Sequence, residues 1–292
     1  MTAARWLRGL VALAGLLTVA AAPARSPDFG PAQPVTLQGY AGEAMEPFIT
    51  RDGRYLMFNN RNDPPERTDL YFAERIDDAT FAFRGPIPGA NSPALDGVAS
   101  LDAAGGFYFV SVRSYAQTWS TVWRGHFVDG GVTGPNIVPG VSRRRPGFVD
   151  FDAEVSPDGQ SLYVAQGDFR GGHGPRAARI AVFRRTADGY APAPGGEAQL
   201  AAVNSGGLDY APSISADGRE LFFTRVPALT PGGPPPQIFR SVRASTDQPF
   251  GPPQRVAAAE GFTEAPSLSA DGHRLYFHRL VGGRFSIWMS RR

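Results

Sequence analysis

An all-β fold, a five-bladed β-propeller of four-stranded blades, is predicted by three observations. One hairpin pattern recurs five times, its turns are spaced by a near-constant interval, and the two ends of the chain are out of phase with the repeat. The copies are "EPFITRDGRYLMF" from Glu46, "VASLDAAGGFYFV" from Val98, "DAEVSPDGQSLYV" from Asp152, "APSISADGRELFF" from Ala211 and "APSLSADGHRLYF" from Ala265. Each is an extended run, a turn and a second extended run. Asp-Gly between alternating apolar residues is a strong hairpin signal because both residues tolerate positive φ. The second copy carries the weaker Ala104-Gly105.

A third apolar run follows each hairpin: "DLYFAE", "STVWRG", "RIAVFRR", "QIFRSVR" and "FSIWMSR". Short Gly/Pro-rich segments then lead to a fourth strand. The turn glycines are 52, 54, 59 and 54 residues apart, room for four short strands with their connections, which is the content of a propeller blade. The ends fix the blade count. "FGPPQRV" at 250–256 precedes the fifth hairpin and "FGPAQPV" at 29–35 precedes the first, whereas the last copy stops after its third strand at "FSIWMSRR". The N-terminal segment is therefore expected to pair with the C-terminal blade as its outer strand, closing the ring and protecting its edges.

Residues 1–24 read as a secretory signal. Arg5 and Arg8 precede the apolar stretch "LVALAGLLTVAAAPA", and Ala22-Pro23-Ala24 is a small-residue cleavage site. That stretch is shorter than the roughly 20 residues of a spanning helix, so the expectation is export to the periplasm or the medium. Residues 25–292 then form one domain with no integral membrane segment. The chain has no Cys, which excludes disulfides, thiolate metal sites and a Cys nucleophile. Its 29 basic residues, all arginine, fall to 27 without the leader, against 27 acidic ones. A formally neutral domain is no footprint for nucleic acid.

The segments "SPDG", "SADG" and "SADG", followed by "QSLYV", "RELFF" and "HRLYF", resemble the WD40-like (PD40) repeats of TolB-type propellers. The resemblance covers nearly all of residues 25–292 and implies the fold. The α/β domain that precedes the propeller in TolB has no counterpart here, so a role in the Tol system does not carry over. Neither a G-x-S-x-G elbow nor a sialidase Asp-box accompanies the repeats.

With the blade order that the resemblance implies, the strand before Asp-Gly is innermost and starts at one mouth of the channel. Eight residues before the turn Asp (or Ala104) lie Ala44, Asp96, Asp150, Asp209 and Thr263. Six before lie Glu46, Val98, Asp152, Ala211 and Ala265, and Glu264 is seven before. Glu46, Asp96, Asp150, Asp152, Asp209 and Glu264 are thus expected to ring the mouth, Asp150, Asp152 and Glu154 sharing one strand face by their spacing of two. Glu154 aligns with Phe48, Ser100, Ser213 and Ser267, a deeper position that needs a dedicated partner. Arg61, Arg113, Arg225 and Arg279 fall just after second strands. They would meet the acids either as ion pairs or as guanidinium forks for a ligand.

His278 sits at the same level, and His173 lies in the loop "GDFRGGHGPRAAR". No metal-ligand His spacing occurs. A hard cation such as calcium suits an oxygen ring better than zinc does, and no motif calls for an organic cofactor. Tyr115 and Trp119 in "RSYAQTWS" are candidates for exposure at the mouth, and "PALTPGGPPPQ" at 227–237 for a stiff projecting loop. Two functions fit these residues. The first is a non-catalytic binding or scaffold module for a protein, peptide or polar ligand at the acidic mouth. The alternative is a glycosidase-type hydrolase using Glu46, Asp96 and Asp150, by analogy with propeller glycosidases whose carboxylates stand at the starts of inner strands.

Overall fold

The structure, a computed structural model, describes residues 28–62, 68–171, 174–204, 206–227 and 233–292. The leader at 1–24, His173 and the centre of the proline-rich loop lie outside the described residues. Five sheets, four of them wholly antiparallel, carry the chain. Blade one is β3 (Met45–Ile49), β4 (Tyr55–Asn59), β5 (Leu70–Arg75) and β6 (Thr80–Pro86). Blade two is β7 (Asp96–Leu101), β8 (Gly106–Ser111), β9 (Val122–Val128) and β10 (Gly131–Ile137). Blade three is β11 (Phe148–Val155), β12 (Ser161–Asp168), β13 (Ala177–Thr186) and β14 (Gly189–Pro192). Blade four is β15 (Leu208–Ile214), β16 (Glu220–Val226), β17 (Gln237–Val242) and β18 (Gln254–Arg255). Blade five is β19 (Thr263–Leu268), β20 (Arg274–Val281) and β21 (Arg284–Arg291), completed by β1 (Gln33–Pro34).

The inner strands touch in cyclic order, β3 to β7, β11, β15, β19 and back to β3. The ring therefore closes, and β1 pairs with β21 through Gln33↔Met289 and Pro34↔Trp288. One feature goes beyond the repeat pattern. β2 (Thr36–Gln38) runs parallel to β6 and gives blade one a fifth strand, so the N-terminal segment ties the last blade to the first.

The hairpin motif has a local cause. In four turns a Ser or Thr hydroxyl bonds the Asp two residues on, as in Ser156 to Asp158 (2.5 Å) and Ser215 to Asp217 (2.6 Å). The same Asp accepts the N–H two residues later, and the Gly takes φ of +69° to +74°, a conformation that favours glycine. In blade two Asp102 occupies the Ser position and accepts from the N–H groups of Ala104 (2.9 Å) and Gly106 (2.7 Å). The core lies between blades. Tyr108, Val155, Leu162 and Tyr190 fill the gap between blades two and three, for instance, and Phe58, Phe81, Tyr276 and Met289 that between blades five and one.

Candidate functional site: an acid cluster in the central channel

Every inner strand departs from regular pairing, with a register shift at Met45/Phe48, Gly97/Ser100, Asp150/Asp152, Tyr210/Ser213 and Glu264/Ser267. In four of them a non-glycine residue at the shift has positive φ: Glu46 (50°), Val98 (56°), Ala211 (48°) and Ala265 (52°). Such backbone costs on the order of 1–2 kcal/mol per residue. What holds it is a hydrogen bond from each of these N–H groups to a side chain of the preceding blade. Val98 donates to Asn59 Oδ1 (3.2 Å), Ala265 to Thr224 Oγ1 (3.0 Å) and Glu46 to His278 Nδ1 (3.1 Å). Asn59, Thr224 and His278 are equivalent, each seven residues after its turn Asp. Blade three has Ala165 there, which offers no acceptor, and Ala211 donates instead to Asp152 Oδ2 (3.1 Å).

These bonds gather part of the expected acid ring. His278, fully buried, bonds Glu264 Oε2 through Nε2 (3.0 Å), and the Tyr210 hydroxyl donates to Glu264 Oε1. Nδ1 faces the Glu46 N–H and Nε2 faces Glu264, and against the effect of burial the Glu264 hydrogen bond and the Glu46 and Glu264 charges hold His278 above its ordinary value. Glu46, Asp152 and Glu154 line a channel cavity of about 30 Å³ together with Phe48, Ala211 and Ala265. Burial, opposed by His278 and reinforced by Asp152 and Glu264, pushes the Glu46 carboxyl up to about 8. Burial, offset in part by the Ala211 N–H and reinforced by Glu264, likewise raises Asp152 to about 8. Burial and the Glu264 charge hold the Tyr210 phenol well above its usual value.

The other three acids are placed differently. Asp96 is fully buried, its Oδ1 bonded to Arg113 (2.6 Å) and its Oδ2 to the hydroxyl (2.7 Å) and N–H of Ser92. Asp209 is fully buried against Arg225 Nε (2.6 Å), and Arg225 also reaches the Val203 carbonyl (2.5 Å). Asp150 meets Gln166 Nε2 (3.0 Å), itself bonded to Arg143 (2.9 Å). Burial lifts Asp150 to about 6 against those two. The shared face expected for Asp150, Asp152 and Glu154 is thus broken. The register shift drops Phe151 from the pairing, so Asp150 pairs with Gln166 and Asp152 with the next residue, Ala165.

The remaining residues are also placed. Glu154 has its dedicated partners in Arg51 (2.8 Å) and Ser100 (2.7 Å). Arg61 pairs with Glu43 (3.2 Å), and Arg279 stacks over Trp288 at 4.8 Å. Tyr115 opens the short helix α1 (Tyr115–Thr118) and binds the next blade, donating to the Phe148 carbonyl (3.1 Å) and accepting from Gly147 N–H (3.0 Å). Trp119, 38% exposed, caps that helix. Tyr210 and Arg51 are additions to the expected set. Tyr210 is seven residues before its turn Asp, as Glu264 is, so repeat position alone would have paired them. No group of His, Cys, Asp and Glu among the described residues is arranged to hold a metal ion.

The raised carboxyls make stability depend on pH. Below about pH 4 Glu46 and Asp152 are protonated whether the chain is folded or not. Between their ordinary values and about 8 the unfolded chain releases protons that the folded one retains, so stability falls as pH rises. Urea unfolding at pH 5 and pH 8 is expected to show a loss on the order of a few kcal/mol. Glu46→Gln, which cannot ionise, is expected to remove part of that slope.

No family model matches the chain, and no curated protein matches it in sequence. Solved structures do. The family 117 glycoside hydrolase Zg3597 of the marine bacterium Zobellia galactanivorans is 10% identical over 90% of each chain, with a TM-score of 0.55. Another glycoside hydrolase is 9% identical over 90% of each chain, at 0.59. TolB of Acinetobacter baumannii is 14% identical over 86% of this chain, at 0.47, and this chain spans 55% of its length. No helix among the described residues is long and apolar enough to cross a membrane. At 9–10% identity the likeness to the two glycoside hydrolases is one of fold alone.

Proposed function

We propose that this chain is an exported, non-catalytic, TolB-like propeller, a binding or scaffold module. It takes a protein or peptide whose amine enters the acidic channel. The observation that carries this reading is the convergence of Glu46 and Asp152 from two blades on a cavity of about 30 Å³, with the Glu264 charge of a third blade acting on both. Such a space admits one or two waters or an ammonium group. It is far below the roughly 300 Å³ at which small-molecule pockets begin, so a sugar ring finds no room between these carboxyls. The hydrolase alternative also asks for free oxygens on Asp96, and both are engaged by Arg113 and Ser92. An arriving ammonium group would displace one of the two protons held by Glu46 and Asp152, exchanging a neutral acid for a paired charge.

Calorimetric titration of the tripeptide Gly-Lys-Gly against Gly-norleucine-Gly tests this. The lysine peptide is expected to bind with proton release, visible as a dependence on buffer ionisation heat, and with affinity rising from pH 6 to pH 9. Asp152→Asn should weaken it roughly tenfold, the effect of one charge-assisted hydrogen bond. Equal binding of the norleucine peptide, or hydrolysis of aryl glycosides abolished by Asp152→Asn, would overturn the reading.

A further inference from the structure

A second recess lies on blade three, where β12 ends and β13 begins. It is a cleft of about 410 Å³, within the range of small-molecule sites, lined by Arg143, Phe148, Gln166, Asp168, Arg179 and the small residues Ala177 and Ala178. Six exposed arginines stand on the segments around it. Arg143, Arg144 and Arg145 belong to the connection from blade two, Arg170 and Arg176 to the connection between β12 and β13, and Arg179 to β13. The acids in contact with this set are fewer. Asp168 is held on both oxygens by Arg170 (2.9 and 2.7 Å), Glu197 meets Arg179 in a largely exposed pair (3.2 Å), and Asp150 is buried against Gln166. Among the described residues these three carboxyls face six guanidinium groups, so the patch is cationic.

The internal repeat shows how Arg143 comes to face the cleft. In blade four the residue paired across the strands with Asp209 is Arg225, which bonds it directly. Blade three pairs Asp150 with Gln166 instead. The Gln166 amide donates to Asp150 through Nε2 (3.0 Å) and accepts from Arg143 through Oε1 (2.9 Å), so an amide stands between the carboxyl and the cation. Burial and the Arg179 charge lower Arg143 from the ordinary arginine value, against the more distant charges of Asp150 and Asp168. Among the described residues no carboxylate bonds it. The guanidinium is fixed in place all the same, stacked over Phe148 at 5.3 Å with Arg145 at 5.0 Å and Arg170 at 4.7 Å from the same ring. Held forks that repel each other across a recess suit a dianion with three free oxygens better than a singly charged carboxylate.

We propose that this cleft binds a small phosphate monoester, its phosphoryl oxygens between Arg143 and Arg179 and its body over Phe148, Ala177 and Ala178. The site is separate from the channel and does not depend on the function proposed for it. The test is NMR titration at pH 7 and fixed ionic strength with ribose 5-phosphate, ribose and acetate, alongside sedimentation with phosphatidylcholine vesicles that contain phosphatidate. Ribose 5-phosphate is expected to saturate in the millimolar range or below, to shift amides of 143–148, 166–168 and 177–179, and to bind more tightly than ribose or acetate. Arg143→Gln and Arg179→Gln, both on exposed side chains, should each weaken it roughly tenfold. Arg219→Gln, on a similarly exposed arginine of the blade-four turn, should leave it unchanged. Absence of saturation, ribose or acetate binding as tightly, unchanged affinity in Arg143→Gln or Arg179→Gln, or an equal loss in Arg219→Gln would each overturn the proposal. So would vesicles that carry the protein down while ribose 5-phosphate shifts nothing, since the patch would then be a membrane-facing surface.

Discussion

A protein expressed from Gly39 onward is expected to melt on the order of 10 °C below one expressed from Asp28 and to self-associate. The missing segment holds β1 and β2, which serve two blades. Phe29 packs edge-on against Phe222 at 5.8 Å and, with Ala32, fills the interface between blades four and five, while Val35 and Leu37 fill that between blades five and one. Backbone bonds from Gly30 to Arg291 (2.7 Å), Val35 to Ile287 (2.8 Å) and Thr36 to Ala79 (2.8 Å) go with them. Partial burial of four apolar side chains and three such bonds contribute roughly 3–5 kcal/mol, and for a domain of this size each kcal/mol moves the midpoint by about 2–4 °C. Self-association follows from the edges of β21 and β6 left without their neighbours. Scanning calorimetry and light scattering on the two proteins read both effects, and equal melting would mean that the ring closes without this segment.

Arg225→Met is expected to destabilise the protein by about 3–5 kcal/mol, as losing one partner of a buried ion pair does. Asp209 is fully buried with Arg225 on its Oδ1, and the same guanidinium spans to the Val203 carbonyl in the connection from blade three. Removing the cation leaves both acceptors without it. The double variant Arg225→Met/Asp209→Leu, which removes the stranded charge as well, should recover much of the loss in urea unfolding. A fully stable Arg225→Met would instead make this arginine a ligand-facing group, as one of the two sequence readings had it.

The blades were legible because the hairpin turn is a local device. A hydroxyl, a carboxylate and a glycine within four residues, as in Ser215, Asp217 and Gly218, fix a conformation that no long-range contact needs to support. The phase offset of "FGPAQPV" led likewise to β1. The parallel β2 was not legible, since its pairing with β6 is made across the chain rather than within a repeat. The acid ring was half legible. Alternation assumes an unbroken pleat, and the register shifts of the inner strands break it, turning Asp96, Asp150 and Asp209 toward neighbours of their own blades while Glu46 and Asp152 keep the channel. Tyr210 shares the repeat position of Glu264, a signal that a search for charged residues alone passes over.

Carbon-13 NMR titration of the Glu and Asp side-chain carboxyls measures the channel cluster most directly. Two carboxyl signals are expected to titrate near 8, one absent in Glu46→Gln and the other in Asp152→Asn. A protein in which both of those signals titrate at the ordinary values near 4 would have its channel acids apart and in water, and the account of a shared buried cluster would be contradicted.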